Sequence, residues 1–127
     1  MTRVVLDASA LLAVIRREPG FENVKPFLPR ALISSVNVCE VIYVAMEKGS
    51  TMEAVQWSIR SLPIETIPFD DRQAAVAAAL HKPTRRHGIS FADRACLVLG
   101  LSENLSVVTS DMTWEELDLG VELLRFR

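Results

Sequence analysis

Short apolar runs alternate with longer segments of helical period along the chain. The run "RVVLD" is rich in β-branched residues and ends in an acid, which predicts a buried strand over residues 3–7. The runs "ALISS", "IETIPF", "LSVVTSD" and "VELLRF" predict four further strands. Pro68 restricts the third of these five strands to an edge of the sheet or to a strand end.

Segments with apolar residues at helical spacing occupy the stretches between these runs. "ASALLAVIRRE" ends at Pro19 and Gly20, and a short helix is expected over residues 21–28. "VNVCEVIYVAMEKG" and "STMEAVQWSIRSL" predict two more helices, the second capped by Ser50. "DRQAAVAAALHK" and "GISFADRACLVLGL" predict two further helices, and "PTRRHG", residues 83–88, predicts a loop between them.

Strands that alternate with helices predict an α/β protein whose mainly parallel sheet is covered on both faces. The length of 127 residues suits a single domain, residues 1–127. In such sheets, ligand sites form beyond the carboxyl ends of the strands, near the point where the strand order reverses. Acidic residues at strand ends are therefore candidates for a functional site.

The overall charge does not indicate a nucleic-acid-binding protein. The chain has 14 basic and 16 acidic residues, which gives a formal charge of −2. A polyanion would have to be met by a local basic patch or by bound cations. Arg85, Arg86 and His87 in the predicted loop, together with Arg94, are the candidates for that patch, although an ordinary solvated loop explains the first three at least as well.

The cysteines and the N-terminal run bear on location. Cys39 and Cys96 lie in apolar helical segments without metal-ligand spacing, so we expect buried free thiols in a reducing cytoplasm. Asp7 interrupts the N-terminal apolar run, which argues against a signal peptide. No run reaches the roughly 18 apolar residues that span a bilayer. The sequence predicts a soluble, cytoplasmic protein with no membrane association.

Asp7 and Asp111 each follow a predicted strand and precede a helix or a helical turn. Asp7 could be the N-cap of its helix, but Ser9 could serve equally well. Thr113 and Glu116 match a capping box for the turn after Asp111, which would leave Asp111 without a capping role. For both aspartates, a local structural role and a functional role stay open.

Glu40 is the single residue that most strongly indicates a functional site. The helix between Val36 and Met46 is apolar nearly all round, a pattern typical of a buried helix. Asn37 and Glu40 are its only strongly polar side chains, and their three-residue spacing places them on one side. A buried glutamate is unfavourable unless it is paired, hydrogen-bonded or bound to a metal. A salt bridge to a nearby arginine is the ordinary alternative.

Asp93 heads the helix that Ser90 opens, where a capping box explains it without any reaction. In the α/β arrangement, however, Asp93 would meet Asp7, Glu40 and Asp111 at one rim of the sheet. Close carboxylates repel by about 4 kcal/mol per pair at an effective dielectric of roughly 20, so cations or protonation are required. Oxygen ligands without histidine or thiolate favour Mg²⁺ or Mn²⁺, which support phosphoryl chemistry in two-metal sites.

Four segments resemble the PIN-domain ribonucleases, and within them the VapC-type toxins of bacterial toxin–antitoxin pairs. The segments are "VVLDASALLAVIRREPG", the helix that holds Glu40 with its trailing "EKG", "GISFADRACLVLGL" and "VVTSDMTW". The likeness runs from Val4 to about Trp114, and "DASAL" and "DRACL" are its most specific pieces. It implies a PIN-like three-layer α/β/α sandwich with a central, mainly parallel sheet of about five strands.

The resemblance also implies a site, an activity and partners. It implies endonucleolytic cleavage of RNA that depends on Mg²⁺ or Mn²⁺ and leaves 5′-phosphate and 3′-hydroxyl ends. It implies a homodimer and a cognate VapB-type antitoxin that inserts a segment into the active-site groove. Asp7 and Asp93 are expected to be direct metal ligands. The family's acids and the hydroxyl residues that support them fall on Asp7, Glu40, Asp93, Asp111, Ser9, Thr109 and Ser110.

Other readings of the sequence are weaker. Aspartyl-phosphate phosphatases also begin with a strand and an acid, but they require a second aspartate where Ser9 stands. Receiver domains require paired acids near the first strand end and a lysine after a late strand, and neither is present. The stronger rival is a catalytically silent PIN-like module that binds a partner protein through an apolar surface. Trp57, Met52 and Ile59 are candidates for that surface, although such residues are more often part of a core.

Overall fold

One fully parallel sheet runs through the middle of the molecule. The computed structural model describes residues 2–127. The strands follow the order β3-β2-β1-β4-β5 across the sheet, and every neighbouring pair is parallel. This confirms the predicted α/β class, the number of strands and the edge position of the third strand. The strands are β1 (Val4–Leu6), β2 (Ala31–Ser34), β3 (Glu65–Ile67), β4 (Val107–Thr109) and β5 (Leu123–Arg125).

In the described part of the chain, seven helices and three 3₁₀ turns connect the strands and cover the sheet. The helices are α1 (Ala8–Arg16), α2 (Phe21–Val24), α3 (Ser35–Glu47), α4 (Met52–Arg60), α5 (Asp71–Ala79), α6 (His81–Thr84) and α7 (Phe91–Glu103). The 3₁₀ turns are Lys25–Arg30, Arg85–His87 and Met112–Glu116. None of the helices within residues 2–127 is both long and apolar enough to cross a membrane.

Successive strand residues point to opposite faces of the sheet and fill two separate cores. In β1, Val4 and Leu6 belong to a core with α1, α2 and α3, whereas Val5 belongs to a second core with α7. Trp114 from the last 3₁₀ turn lies in the second core and is only 2% exposed. The predicted three-layer sandwich is therefore built around central strands that are buried on both faces.

Three local predictions were wrong. The helix expected over residues 21–28 ends at Val24 and continues as a 3₁₀ turn, in which Pro26 and Pro29 cannot donate backbone hydrogen bonds. Helix α4 is capped by Thr51, whose hydroxyl accepts from Ala54 N, and not by Ser50. The segment predicted as a loop over residues 83–88 is helical, because it comprises the end of α6 and the Arg85–His87 turn.

Helix α3 is not buried all round, contrary to the expectation from its composition. Its buried residues are Asn37, Val41 and Ala45, which lie on one side. Tyr43 is 50% exposed and Cys39 is also exposed, so the prediction that both cysteines are buried holds only for Cys96. One face of α3 is thus apolar and open to solvent.

Candidate active site

The acidic residues lie where the strand order reverses. The chain passes from β1 to β2 and β3 on one side of the sheet, and β4 and β5 lie on the other side. Asp7 directly follows β1 and Asp111 lies two residues beyond β4. Because adjacent parallel strands end at the same rim, this is the position where sites form in such sheets.

Asp7 is held by three hydrogen-bond donors and is only 5% exposed. Its Oδ1 atom accepts from the backbone nitrogen of Ala8 at 2.7 Å, which makes Asp7 the N-cap of α1. Its Oδ2 atom accepts from the hydroxyls of Ser9 and Thr109, each at 2.8 Å. None of these donors carries a charge, so the carboxylate is fixed in place without being neutralised.

The two hydroxyl groups also connect the ends of β1 and β4. The Thr109 hydroxyl accepts from the backbone nitrogen of Asp111 at 2.9 Å, and the Ser9 hydroxyl accepts from that of Ser110 at 3.2 Å. Ser110 therefore takes part through its backbone. These hydrogen bonds are made by the residues that were expected to support the acids, and they set the spacing between Asp7 and Asp111.

Asp111 caps the 3₁₀ turn that follows it, which the sequence did not predict. Its Oδ1 atom accepts from the backbone nitrogen of Thr113 at 3.0 Å and from the Thr113 hydroxyl at 2.7 Å. Asp111 is the N-cap of the 3₁₀ turn Met112–Glu116, so the prediction that Thr113 caps that turn was wrong. The second carboxylate oxygen stays available, since a cap uses one oxygen.

Glu40 reaches the same rim from α3 through a buried asparagine. The Asn37 Nδ2 atom lies 3.4 Å from Glu40 Oε1 and donates to the Ala92 carbonyl at 3.0 Å. Asn37 is fully buried, and its Oδ1 atom has no hydrogen-bond partner among the described residues. Asn37 thus belongs to the candidate site, although the sequence indicated it only as a second polar residue on the same side of the helix as Glu40. The three-residue spacing of two polar side chains on an apolar helix is the signal that marks it.

Asp93 completes the group from the head of α7. Its side chain accepts from the backbone nitrogen of Ser90 at 2.9 Å, and the Ser90 hydroxyl accepts from Asp93 N at 3.1 Å. The predicted capping box is therefore present. Since Ala92 precedes Asp93, the bond from Asn37 to the Ala92 carbonyl ties α3 to α7 beside both acids.

The four acids share one electrostatic environment. Burial raises the pKa of Asp7, and the negative charge of Asp93 raises it further, while its hydrogen bonds oppose the shift. Burial, then the charges of Asp7 and Asp93, raise the pKa of Glu40. Burial, then the charge of Asp111, raise the pKa of Asp93. Each of the four therefore interacts with at least one other.

No basic side chain neutralises these acids within residues 2–127. The ion pairs of that part of the chain involve other carboxylates, chiefly Glu18 and Glu65. Within this part of the chain, Glu40 therefore does not form the salt bridge to an arginine that was its ordinary alternative. Arg94 follows Asp93, but its Nη1 atom donates to the Ala77 carbonyl at 2.8 Å. The guanidinium of Arg94 therefore packs toward α5. This arrangement does not support the expected role of Arg94 in a basic patch that meets a polyanion.

Basic residues form a corner next to the site. This basic corner comprises Lys82, Arg85, Arg86 and His87, which line a shared surface hollow with Pro83. His87 Nε2 lies 3.9 Å from Glu116 Oε2, which brings the corner to the 3₁₀ turn that Asp111 caps. Arg85 and Arg86 are exposed. The corner therefore offers positive charge close to the acidic rim.

The donor chemistry suits a hard divalent cation. The rim presents carboxylate oxygens without a cationic partner and the unpartnered amide oxygen of Asn37, which are ligand types that Mg²⁺ accepts. Within residues 2–127, no three His, Cys, Asp or Glu side chains are already gathered into a metal-binding cluster. The fit therefore rests on the type and charge of the ligands.

Solved structures share this fold over nearly the whole chain. VapBC from Salmonella typhimurium, bound to DNA, matches with a TM-score of 0.78 and 23% identity, covering 100% of both chains. VapBC2 from Rickettsia felis, bound to a promoter DNA fragment, matches with a TM-score of 0.78 and 19% identity, covering 99% of this chain and 100% of that one. VapBC-1 from nontypeable Haemophilus influenzae matches with a TM-score of 0.74 and 16% identity over 98% of each chain. No curated protein matches the chain.

The family comparison covers most of the chain. The model of the PIN domain matches residues 4–119, a range that includes all four acids. Strands β1 to β4, the strand reversal and the acidic rim lie within that range, and β5 follows it. On this match, the chain belongs to the PIN domain family.

Proposed function

We propose that the chain is a metal-dependent endoribonuclease and the toxin of a VapBC-type toxin–antitoxin pair. The observation that carries the proposal is the sharing of one rim by Asp7, Glu40, Asp93 and Asp111, with no basic partner among the described residues. Uncompensated carboxylates reduce stability, and a site that binds cations is the usual reason to keep them together. RNA in the cytoplasm is the substrate that this family membership favours.

The roles of the residues follow from their contacts. Asp7 and Asp93 would hold Mg²⁺ or Mn²⁺ directly, and Glu40 and Asp111 would complete the site. A bound divalent ion lowers the pKa of an attacking water and stabilises the charge on the scissile phosphate. Ser9 and Thr109 hold the Asp7 carboxylate in one orientation through two hydrogen bonds of 2.8 Å. Such fixed positions reduce the reorganisation needed during reaction.

The basic corner would attract the substrate. The acidic rim repels a polyanion until cations are bound, whereas Arg85 and Arg86 attract the phosphates of neighbouring nucleotides. His87 Nε2 lies 3.9 Å from Glu116 Oε2, so these arginines lie near the turn capped by Asp111. A strand of RNA would thus be bound beside the acids at which it is cleaved.

An antitoxin of the VapB type and a second copy of the chain are the proposed protein partners. The solved structures with this fold include VapBC complexes from three bacteria, two of them bound to DNA. In this chain, Trp57 and Met52 on α4 are 66% and 44% exposed, whereas Ile59 packs against the core. Two large apolar side chains left exposed on one helix favour a protein contact there. We assign part of the antitoxin contact to the exposed surface of α4.

Cleavage of RNA by purified protein, freed of antitoxin, tests the proposal. Wild-type protein should cut single-stranded RNA in Mg²⁺ or Mn²⁺, leave 5′-phosphate ends and be inactive in EDTA. Asp7→Asn should lose the activity while its circular dichroism spectrum stays native. Cleavage that survives EDTA, or that equals wild type in well-folded Asp7→Asn, would refute the assignment. No metal-dependent cleavage at all would favour the silent partner-binding module.

A further inference from the structure

An open hollow with two aromatic walls adjoins the acidic rim. This aromatic hollow has a volume of about 470 Å³. Phe91, at the start of α7, is 52% exposed, and Tyr43, on the open face of α3, is 50% exposed. Half-exposed rings in a concave surface offer apolar faces to a planar ligand. The lining residues are Val36, Cys39, Glu40, Tyr43, Ser90, Phe91 and Ala92.

The Phe91 ring is held in place by its neighbours. Phe69 packs edge-on against it, with the ring centroids 5.5 Å apart and an interplanar angle of 90°. Arg94 lies on α7 together with Phe91, and its guanidinium carbon is 5.8 Å from the centroid of the Phe91 ring. Phe69 is anchored in turn, because its backbone nitrogen donates to the Ser35 hydroxyl at 3.0 Å. Phe91 is therefore a fixed platform, which reduces the entropy lost when a ligand stacks on it.

The hollow and the acidic rim share residues. Glu40 lines the hollow and also belongs to the group of four acids. Ser90, another lining residue, exchanges two hydrogen bonds with Asp93. A chain whose phosphate lies at the acids would therefore bring a neighbouring group into the hollow.

The lining favours a nucleobase over a second protein surface. The described lining residues include no Lys, Arg or His, so an apolar protein surface over the hollow would bury Glu40 without a counter-ion. A nucleobase brings an uncharged aromatic face, while its phosphate stays outside with the cations. We propose that the aromatic hollow binds one unpaired base of single-stranded RNA next to the scissile phosphate, by stacking on Phe91 and Tyr43. This inference rests on the proposed nuclease function.

Cleavage kinetics of ring variants test the stacking. Tyr43→Ala and Phe91→Ala should each lower kcat/KM on an unstructured single-stranded RNA by about tenfold to a hundredfold, the usual effect of removing one stacked base contact. Tyr43→Phe and Phe91→Tyr keep a ring and should stay close to wild type. Val76→Ala removes an exposed apolar side chain on α5, away from the hollow, and serves as the matched control.

Alkylation of Cys39 gives a second measurement that does not depend on catalysis. Cys39 is exposed and lines the hollow, whereas Cys96 is buried. A saturating single-stranded 12-mer RNA should slow the initial rate of alkylation of Cys39 by iodoacetamide severalfold in Mg²⁺, measured before appreciable cleavage. The same sugar–phosphate chain without bases should slow it much less, because it binds at the acids but leaves the hollow empty.

The outcomes separate this inference from the proposed function. If wild type cleaves RNA, the Ala variants cleave it equally well and RNA does not protect Cys39, the base-binding inference is overturned and the nuclease function stands. Failure of wild type both to cleave RNA and to show protection would overturn the nuclease assignment, and the hollow with it. If light scattering shows that the Ala variants break a dimer into monomers, the hollow is a contact between two copies, and the base-binding inference is wrong.

Discussion

The hydroxyl of Thr109 donates a 2.8 Å hydrogen bond to the Oδ2 atom of Asp7, 102 residues earlier in the chain. The same hydroxyl accepts from the backbone nitrogen of Asp111 at 2.9 Å. Thr109 is the last residue of β4 and is fully buried. One hydroxyl therefore links the carboxyl ends of two central strands and both of the acids that follow them.

Replacement of Thr109 should affect stability and activity together. Thr109→Val keeps the shape but leaves Asp7 with two donors and the Asp111 N–H without its partner, which should lower the free energy of unfolding by about 1–3 kcal/mol. Cleavage should fall as well, because the Asp7 carboxylate loses its fixed orientation. Thr109→Ser keeps the hydroxyl and is the control. Urea unfolding and cleavage rates that are equal in the two variants would contradict the role assigned to this hydroxyl.

Binding of Mg²⁺ should be measurable without RNA. A ligand that binds only the native state at 100 times its Kd adds about 2.7 kcal/mol of stability, so Mg²⁺ should raise the melting temperature of wild type at pH 7. Asp7→Asn should abolish most of that increase. Glu53→Gln removes an exposed acid at the start of α4 and should leave the increase intact. Equal increases in all three proteins would show that the ions bind elsewhere.

The sequence was sufficient for the frame of the fold and the position of the acids. Most strands are short apolar runs, and Asp7, Asp93 and Asp111 lie at or near the ends of elements, so local patterns indicate where these three acids lie relative to the strands and helices. Glu40 lies in the middle of α3 and was indicated by the apolar residues around it. The parallel topology then brings the strand ends to one rim. These inferences need no knowledge of side-chain contacts, which explains why they hold.

Two of the predictions that failed depend on contacts between distant segments. The apolar face of α3 that carries Tyr43 is exposed because no other described element covers it, and helical spacing alone cannot show that. Asp111 caps its own turn through a local contact with Thr113, but by sequence Thr113 fits the capping position equally well, so the pattern alone does not choose between them. Arg94 bonds to the Ala77 carbonyl because α5 packs on α7.

Removal of the Asp93 charge should stabilise the protein near neutral pH. Because the native pKa of Asp93 is raised, the native state holds more protons than the unfolded state from about the ordinary value of 3.8 up to the raised value. The free energy of unfolding therefore falls as the pH rises through that window. Asn keeps an oxygen for Ser90 N but carries no charge, so Asp93→Asn should melt higher than wild type at pH 7.

The stability gain should shrink as the pH falls toward and below the ordinary value of 3.8, because Asp93 of wild type becomes protonated as well. Melting temperatures measured from pH 3 to pH 8 test this, with Asp70→Asn as the control because Asp70 caps α5 outside the acidic rim. The same Asp93→Asn variant should lose RNA cleavage. A variant that melts lower than wild type at pH 7 would show that the capping contact outweighs the repulsion among the acids.

The basic corner should govern how RNA binding depends on salt. Each contact between a basic side chain and a single-stranded phosphate contributes a slope of about −0.7 to log K against log salt. Arg85→Ala combined with Arg86→Ala should therefore weaken binding of a labelled 12-mer RNA at low salt and make that slope shallower by about 1.4. Fluorescence anisotropy over a range of NaCl concentrations measures both quantities. Arg60→Ala removes an exposed charge on α4 and should change neither, because α4 lies on the opposite face of the sheet from α7. Weaker binding with an unchanged slope would mean that the arginines support the fold of the corner and do not contact phosphate.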